Sequence, residues 1–305
     1  MISRVKQFVI LSLATLCAPA FGANPARPGT INYIEGSALV AGLPVTQKSV
    51  GTLALDPGQV LSTEQGRAEV LLTPGIYLRL DDDSSVRMIS PDLTSTQVAL
   101  DKGHATVEVD EIHPQNNVQI VDNGVPTQLL KNGLYEFNAD NDTARVFSGK
   151  AAAREANKWV GIKGDHQLAL NDNLPEKVQH FNKDRAKDEL YNWSSLRSEY
   201  LSEANGELAG YYGAGYTPGW YWDPWFYGYT FIGPYGFYSP FGWDFYPFGY
   251  FGGYYGRGYY GRPYNHGGIH EGFRGGQHFA GGGFHGGGFA GGGMHGGGFA
   301  GGGHR

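Results

Sequence analysis

Histidines recur along residues 263–305, and imidazole is the side chain that most often binds transition metals. They are His266, His270, His278, His285, His295 and His304. Several of these imidazoles together could capture Zn²⁺, Cu²⁺ or Ni²⁺. However, His285 and His295 follow a five-residue glycine repeat rather than the spacing of a ligand set. We therefore predict weak, nonspecific metal binding by this tail and assign no metal-ligating residue to it.

A second group of residues that could do chemistry lies on a short acidic run. Glu108, Asp110 and Glu111 are flanked by His104 and His113. Alternating exposure along a β-strand explains these side chains better than an active site does. We therefore do not assign a site to them.

Other enzyme patterns are missing from the sequence. The run Asp81-Asp82-Asp83 lacks the glycine and the glutamate of the helix-loop-helix calcium pattern, and a solvated turn explains it better. No nucleophile with an adjacent base can be named. We therefore expect no catalytic residues, no cofactor and no enzyme activity.

Composition divides the chain of 305 residues into two different parts. Of its 49 glycines, 35 follow Asn205, and 25 of its 43 aromatic residues lie between Tyr211 and Tyr260. The formal net charge of −6 belongs to the first part, since four acids balance four arginines after Asn205. Because no basic region is present, we expect no nucleic-acid partner.

Residues 1–22 are typical of an export signal. Arg4 and Lys6 precede an apolar run over residues 8–16, and small residues follow at 18–23. The run is too short to be a retained membrane anchor, and no later segment is apolar enough to form a transmembrane helix in the mature chain. Cleavage would also remove Cys17, the only cysteine. We predict a periplasmic, envelope-associated or secreted protein.

Short strands separated by turns are predicted over residues 29–170. Runs of four to seven residues alternate between apolar and polar side chains, at intervals of about ten residues, which is typical of all-β domains. Gly58, Gly66, Gly75 and Gly103 are predicted to occupy turns, some with a positive φ. We expect this part to fold on its own.

Part of this region resembles the FecR domain, the periplasmic module of bacterial iron-signalling regulators and of other envelope proteins. The resemblance covers residues 36–109, with a looser second pass over 133–151. It is carried by the motifs at 55–63 (LDPGQVLST), 66–72 (GRAEVLL), 74–80 (PGIYLRL), 85–88 (SVRM) and 98–103 (VALDKG).

The resemblance implies an all-β domain, solenoid-like or sandwich-like, that recognises other proteins rather than performing chemistry. The iron-signalling members carry a cytoplasmic anti-sigma segment and a transmembrane helix before this domain. Here only the predicted signal peptide precedes it, so the resemblance does not extend to the family's signalling output.

An amphipathic helical segment is predicted over residues 174–205. Apolar side chains recur there at three- and four-residue spacing, with a break near Asn182 and a stop at Asn205-Gly206. We favour a helix that packs against the β domain. The alternative is a partner-binding helix that uses Trp193 and Tyr200 as anchors.

Two low-complexity segments complete the chain. Residues 206–262 are rich in aromatic residues, glycine and proline without a strand or helix period, and residues 263–305 form the pentad-repeat tail rich in glycine and histidine. We predict that residues 206–262 lack a conventional fold and that residues 206–305 together form a disordered tail rich in glycine and aromatic residues. The aromatic side chains favour contact with an envelope surface, while a linker without a specific role and stacking on sugar rings are the alternatives.

Together these features predict a mainly β protein that is exported and associated with the cell envelope. We expect it to act through contacts with envelope proteins or surfaces, as a structural component or as an accessory to sensing, with self-association through the tail. The alternative is a periplasmic metal-handling protein that uses the His-rich tail.

Overall fold

The structure is a computed structural model, and it describes residues 26–170, 177–212, 217–234 and 236–245. The predicted signal peptide (1–22) and the pentad-repeat tail (263–305) lie outside these residues. Within them, strands predominate and one long helix accompanies them, which confirms the mainly β fold class. None of the described helices is long and apolar enough to cross a membrane.

One sheet contains the strands between residues 31 and 180. They are β1 (Ile31–Val40), β2 (Leu43–Pro44), β3 (Val60–Leu71), β4 (Ile76–Leu80), β5 (Ser85–Asp92), β6 (Ser95–Lys102), β7 (His104–Val109), β8 (Gln119–Asp122), β9 (Val125–Leu129), β10 (Gly133–Asn138), β11 (Thr143–Val146), β12 (Lys150–Glu155), β13 (Lys158–Lys163), β14 (His166–Ala169) and β15 (Gln179–His180). The order across the sheet is β13-β12-β9-β8-β6-β5-β3-β4-β7-β10-β11-β14-β15, and β1 pairs with β2 and β3. β6 and β8 pair in parallel, whereas the other described pairs of this sheet are antiparallel.

The sheet folds over, so that alternate residues from both of its halves fill one apolar core. Ala105, Val107 and Val109 of β7 are fully buried there, and Ile120 of β8 and Leu129 of β9 enter the same core from the other half. Burying each large aliphatic side chain stabilises the fold by about 1.5–3 kcal/mol.

Three of the four glycines predicted in turns have a positive φ, namely Gly58, Gly75 and Gly103. The fourth expectation was wrong, because Gly66 lies inside β3, opposite Gly36 of β1. A Cβ on Gly66 would lie 2.2 Å from the carbonyl oxygen of Glu35. This glycine is therefore required by the close approach of two strands rather than by a turn.

Gly58 and Gly103 allow the cost of a positive φ to be separated from the cost of a clash. Both have φ near +80°, but a Cβ on Gly58 would meet no atom within 4 Å, whereas one on Gly103 would lie 2.2 Å from Ser84 Oγ. We expect Gly58→Ala to lower the free energy of unfolding by about 1 kcal/mol and Gly103→Ala by about 3 kcal/mol. Urea unfolding measures both, and equal losses would contradict the assigned clash.

A second layer covers the outer face of β1, β3, β4 and β7. It consists of helices α1 (Lys183–Ala186) and α2 (Glu189–Tyr212) and of strands β16 (Gly219–Asp223), β17 (Gly228–Ile232), β18 (Phe237–Tyr238) and β19 (Asp244–Phe245). β16 pairs with β17, and β18 pairs with β19. The favoured packing of the predicted helix against the β domain is confirmed, since Trp193 of α2 is buried and donates a hydrogen bond to Glu35 of β1.

The predicted bounds of the helical segment were wrong at both ends. β15 occupies residues 179–180, and the first helix begins only after Asn182, whose side chain accepts a hydrogen bond from the Arg185 amide. At the other end, α2 continues through Asn205-Gly206 because the Asn205 side chain is buried and accepts a hydrogen bond from Thr230. Tertiary contacts therefore override the local stop signal.

The expectation that residues 206–262 lack a conventional fold was wrong for the described residues 217–234 and 236–245. Tyr229, Phe231 and Phe237 are buried, and they pack with Leu71 and Tyr77 of the sheet. The segment carries no aliphatic core of its own, but the outer face of the sheet supplies the apolar partners. The remaining residues of 206–262 outside α2 are not described.

Candidate functional site

Three charged side chains are buried side by side on the outer face of the sheet. They come from adjacent strands: Glu69 of β3, Arg79 of β4 and Glu108 of β7. Arg79 donates hydrogen bonds from Nε to Glu69 Oε2 (2.8 Å) and from Nη1 to Glu108 Oε2 (2.5 Å), and all three side chains are 0% exposed. Along each strand these residues alternate with residues of the apolar core, so their side chains point to the opposite, outer face of the sheet.

The second layer completes this group with a second arginine and two serines. Arg197 of α2 donates a hydrogen bond to Glu69 Oε1 (3.0 Å). The hydroxyls of Ser198 on α2 and Ser239, which follows β18, both donate to Glu108 Oε1. We call Glu69, Arg79, Glu108, Arg197, Ser198 and Ser239 the buried charge network.

Opposite charges determine the ionisation of this network. Burial alone would raise the pKa of Glu69, but Arg197 and Arg79 outweigh it and lower this pKa to about 2. Burial likewise disfavours the charged form of Arg79, yet Glu108 and Glu69 hold its pKa above the usual value. Two carboxylates and two guanidinium groups therefore lie together in a buried site.

Asp110 extends the acidic side of this site. It follows β7 and is buried beside the Glu108 carboxylate. Burial raises the pKa of Asp110 well above its usual value, and the neighbouring Glu108 carboxylate adds to this effect. Burial and the Glu108 carboxylate therefore both favour the protonated form of Asp110.

Two polar side chains of the sheet form hydrogen bonds with the backbone of the aromatic strand β17. The Asn32 amide of β1 donates to the Tyr229 carbonyl (2.9 Å) and accepts from the Tyr229 N–H (2.6 Å), as a neighbouring strand would. The Tyr77 hydroxyl accepts a hydrogen bond from the Phe231 N–H (3.0 Å). These bonds satisfy buried backbone groups of β17 that would otherwise be costly.

A second cluster of titratable groups lies beside the network, at the start of α2. His104 of β7 lies with Nε2 3.3 Å from Glu136 Oε1 of β10 and with Nδ1 3.5 Å from Asp188 Oδ2, while Asp81 Oδ2 lies 3.9 Å from the same Nδ1. Burial lowers the pKa of His104, but Glu136, Asp188 and Asp81 outweigh it and raise this pKa above its usual value. Arg145 of β11 donates to Glu136 Oε1 (2.5 Å).

The structure brings Glu108 and Asp110 together at the buried charge network and places His104 and His113 elsewhere, so the acidic run does not form one site. His104 and Glu108 lie on the outer face of β7 in different clusters, and Asp110 is buried beyond them. His113 is largely exposed and lies 2.9 Å from Glu111. The run Asp81-Asp82-Asp83 forms a turn in which Asp82 and Asp83 are exposed, as expected.

Only Glu108 of the buried charge network was considered as a candidate residue from the sequence, and the other five members were not predicted: Glu69, Arg79, Arg197, Ser198 and Ser239. A signal for Arg79 was present, because Glu69, Arg79 and Glu108 each occupy an outward position of an alternating strand. An arginine and acids at such positions on three predicted strands indicate a cross-strand ion pair. No comparable signal marks Ser239, since its role depends on a contact across 131 residues.

An exposed aromatic side chain lies at the tip of the β16–β17 hairpin. Trp225 is 89% exposed, the largest value among the large apolar residues that the structure describes. The buried carboxylate of Asp223 accepts hydrogen bonds from the N–H groups of Trp225 (2.8 Å) and Phe226 (3.0 Å) and so fixes the turn. Phe226 in turn lies 4.7 Å from the guanidinium of Arg197. The buried charge network thus anchors the turn that presents Trp225.

Two open grooves accompany these features on the described surface. One, of about 340 Å³, is lined by Arg145, Gln167, Phe181, Asn182, Arg185, Ala186 and Asp188. The other, of about 280 Å³, lies between β1 and β3 near Gly36 and Gly66. The first groove gives the Asp188 carboxylate access to solvent.

The fold and these clusters define a mainly β domain whose outer face is sealed by a helix and aromatic hairpins. No family model and no curated protein matches the chain. The FecR resemblance therefore stays a prediction that depends on the sequence motifs.

Among solved structures, the chain is similar to two crystal structures of a candidate anti-sigma factor from Parabacteroides distasonis. One has a TM-score of 0.35 and 14% identity over 46% of this chain and 64% of that chain, so the match spans just under two thirds of it. The other has a TM-score of 0.34 and 14% identity over 48% of this chain and 70% of that chain. A likeness at this level does not establish a function for this protein.

Asp122, at the end of β8, predicts a pH-dependent stability. It is fully buried, and burial together with Asp142 raises its pKa to about 7, against the opposing effect of a hydrogen bond with the Asn123 backbone. The folded state therefore holds a proton that the unfolded state releases near pH 4, so stability falls as the pH rises from about 4 to about 7. We expect Asp122→Asn to gain on the order of 4 kcal/mol relative to the parent between pH 4 and pH 8.

Urea unfolding of both proteins across this pH range tests the expectation. Asp82→Asn, which changes an exposed carboxylate of a turn, is the control and should follow the parent. A constant difference between Asp122→Asn and the parent at every pH would show that Asp122 is ionised in the folded protein.

Proposed function

We propose that this protein is exported to the cell envelope and acts by binding proteins or surfaces, without enzyme activity, as a FecR-like structural or accessory component. The observation that carries the proposal is the exposed Trp225 on a fixed turn. A fully exposed tryptophan is costly in water, and a rigid turn loses little further freedom on binding. Such a side chain is suited to enter a partner's pocket or a membrane–water boundary.

The contacts behind the hairpin support this interpretation. The turn is fixed on its domain side by the hydrogen bonds to Asp223 and by the contact between Phe226 and Arg197. Trp225 therefore points away from the domain. Tyr227, which has a φ of +54°, is also exposed beside it. A binding role explains why the buried charge network supports a turn that exposes an apolar side chain to solvent.

Replacing Trp225 with alanine in the full chain should weaken association about tenfold, since burial of a large apolar side chain is worth about 1.5–3 kcal/mol. Co-sedimentation with vesicles of phosphatidylethanolamine and phosphatidylglycerol measures surface binding, and sedimentation velocity measures self-association. Trp159→Ala is a matched control, because Trp159 is 47% exposed on β13 in the sheet layer. If Trp225→Ala and the parent associate equally in both assays, the binding role of the hairpin is wrong.

A further inference from the structure

The cluster at the start of α2 brings together three side chains of the types that bind divalent transition cations. Each of His104, Glu136 and Asp188 offers one ligand atom, and these three atoms lie within 4.8 Å of one another. The residues come from β7, β10 and the position that precedes α2, so the tertiary fold brings them together.

The distances within the cluster are close to those of a metal site. Ligand atoms around a tetrahedral Zn²⁺ with bonds of about 2.1 Å lie about 3.4 Å apart. His104 Nε2 and Glu136 Oε1 are 3.3 Å apart, and Asp188 Oδ2 is 3.5 Å from the other ring nitrogen. One cation can use Nε2 and Glu136 directly, and the partly exposed Asp188 carboxylate, whose ligand atom lies within 4.8 Å of the other two, then has to move closer.

One buried polar atom of the cluster points to a missing partner. Glu136 is 1% exposed, and its Oε2 has no hydrogen-bond partner among the described residues. His104 Nε2 faces the other oxygen of the same carboxylate, Oε1, at 3.3 Å. Burying a carboxylate oxygen without a partner is costly, and a cation bound by this carboxylate would satisfy it.

Surrounding residues hold two of the ligands in place, as is usual for metal sites. Arg145 binds Glu136 Oε1 (2.5 Å), and the Tyr191 N–H donates to Asp188 Oδ1 (2.8 Å). Asp81 lies 3.9 Å from His104 and adds negative charge. The open groove that Asp188 lines gives a cation and its remaining water ligands a path to solvent.

We propose that His104, Glu136 and Asp188 form a binding site for a divalent first-row transition cation such as Zn²⁺. An imidazole with two carboxylates suits this class of cation. The site is separate from the His-rich tail and from the binding role of the Trp225 hairpin. In this arrangement the cation links β7 and β10 to the first turn of α2.

The test is a calorimetric titration of the full chain with Zn²⁺ at pH 7.5. The decisive variant is Asp188→Asn, because asparagine can still accept the Tyr191 hydrogen bond that begins α2 while it removes the carboxylate. Asp184→Asn is the matched control, since Asp184 is an exposed carboxylate nearby that pairs with Lys187. Residues 263–305 contribute the same background binding to every protein.

We expect one tight binding event in the parent and in Asp184→Asn, and at least tenfold weaker binding at that site in Asp188→Asn. His104→Gln should behave as Asp188→Asn does, and His113→Gln as the parent does. Zn²⁺ should also raise the Tm of the parent and the controls more than that of the two site variants. Identical titrations and identical Tm shifts in all proteins would overturn the proposal and leave the cluster as an ion-pair contact of α2. If His104→Gln does not fold, Asp188→Asn decides alone.

Discussion

Replacing Arg79 with methionine should lower the free energy of unfolding by about 3–5 kcal/mol. The Arg79 side chain is fully buried between Glu69 and Glu108, and its removal leaves two buried carboxylates with Arg197 as the one remaining cation of the network. Methionine retains most of the side-chain volume of arginine. The loss in the free energy of unfolding therefore measures the cost of buried carboxylates without their cation rather than the cost of a cavity. Urea unfolding at pH 7 measures the effect.

Arg87→Met is the control for this prediction. Arg87 also pairs with a carboxylate, that of Asp101, at 2.7 Å, but both side chains are partly exposed. We expect a loss of less than about 1 kcal/mol for it. The variant Arg79→Met with Glu108→Gln should recover part of the loss, because one stranded charge is then gone. Equal losses for Arg79→Met and Arg87→Met would contradict a strongly coupled buried network.

Ending the chain at residue 212, after α2, should lower the free energy of unfolding by about 5 kcal/mol or more, comparable to the whole stability of many domains. The truncation removes the buried Tyr229, Phe231 and Phe237 and leaves their partner Tyr77 exposed. It also removes Ser239 from Glu108. Thermal unfolding monitored by circular dichroism should show an early or a non-cooperative transition.

A chain that ends at residue 245 is the matched control, because it keeps every contact of the second layer that the structure describes. We expect it to unfold as the full chain does. Identical unfolding of the chains ending at 212 and 245 would show that the aromatic hairpins contribute little. The same contacts bear on the expectation that residues 29–170 fold on their own. That fragment would expose Arg79 and both of its carboxylate partners, so we now expect it to be less stable than the chain that ends at residue 245.

The strands could be predicted from the sequence because their signals are local. Alternation such as that of Arg67 to Leu71 and turns at Gly58, Gly75 and Gly103 need no knowledge of distant residues. The β class and the presence of a helix followed from these patterns.

The second layer could not be predicted, because its order depends on contacts between distant residues. The aromatic segment has no period of its own, and it becomes ordered because Asn32 and Tyr77 bind its backbone. Asn205-Gly206 is a stop signal in isolation, yet the contact with Thr230 continues the helix. The cluster of His104, Glu136 and Asp188 was likewise hidden, since Asp188 belongs to a different element far along the chain.

The pair of hydrogen bonds between Asn32 and Tyr229 also has a consequence for how fast the protein folds. These residues are 197 positions apart in the chain, and Ser239 meets Glu108 across 131 positions. Contacts of such long sequence separation give a high contact order, which slows folding because large loops must close before the contacts form. The sheet can assemble first, but its charged outer face remains open until the C-terminal hairpins arrive. We therefore expect folding that is completed late, with a protease-sensitive intermediate in which β17 is not yet bound to β1.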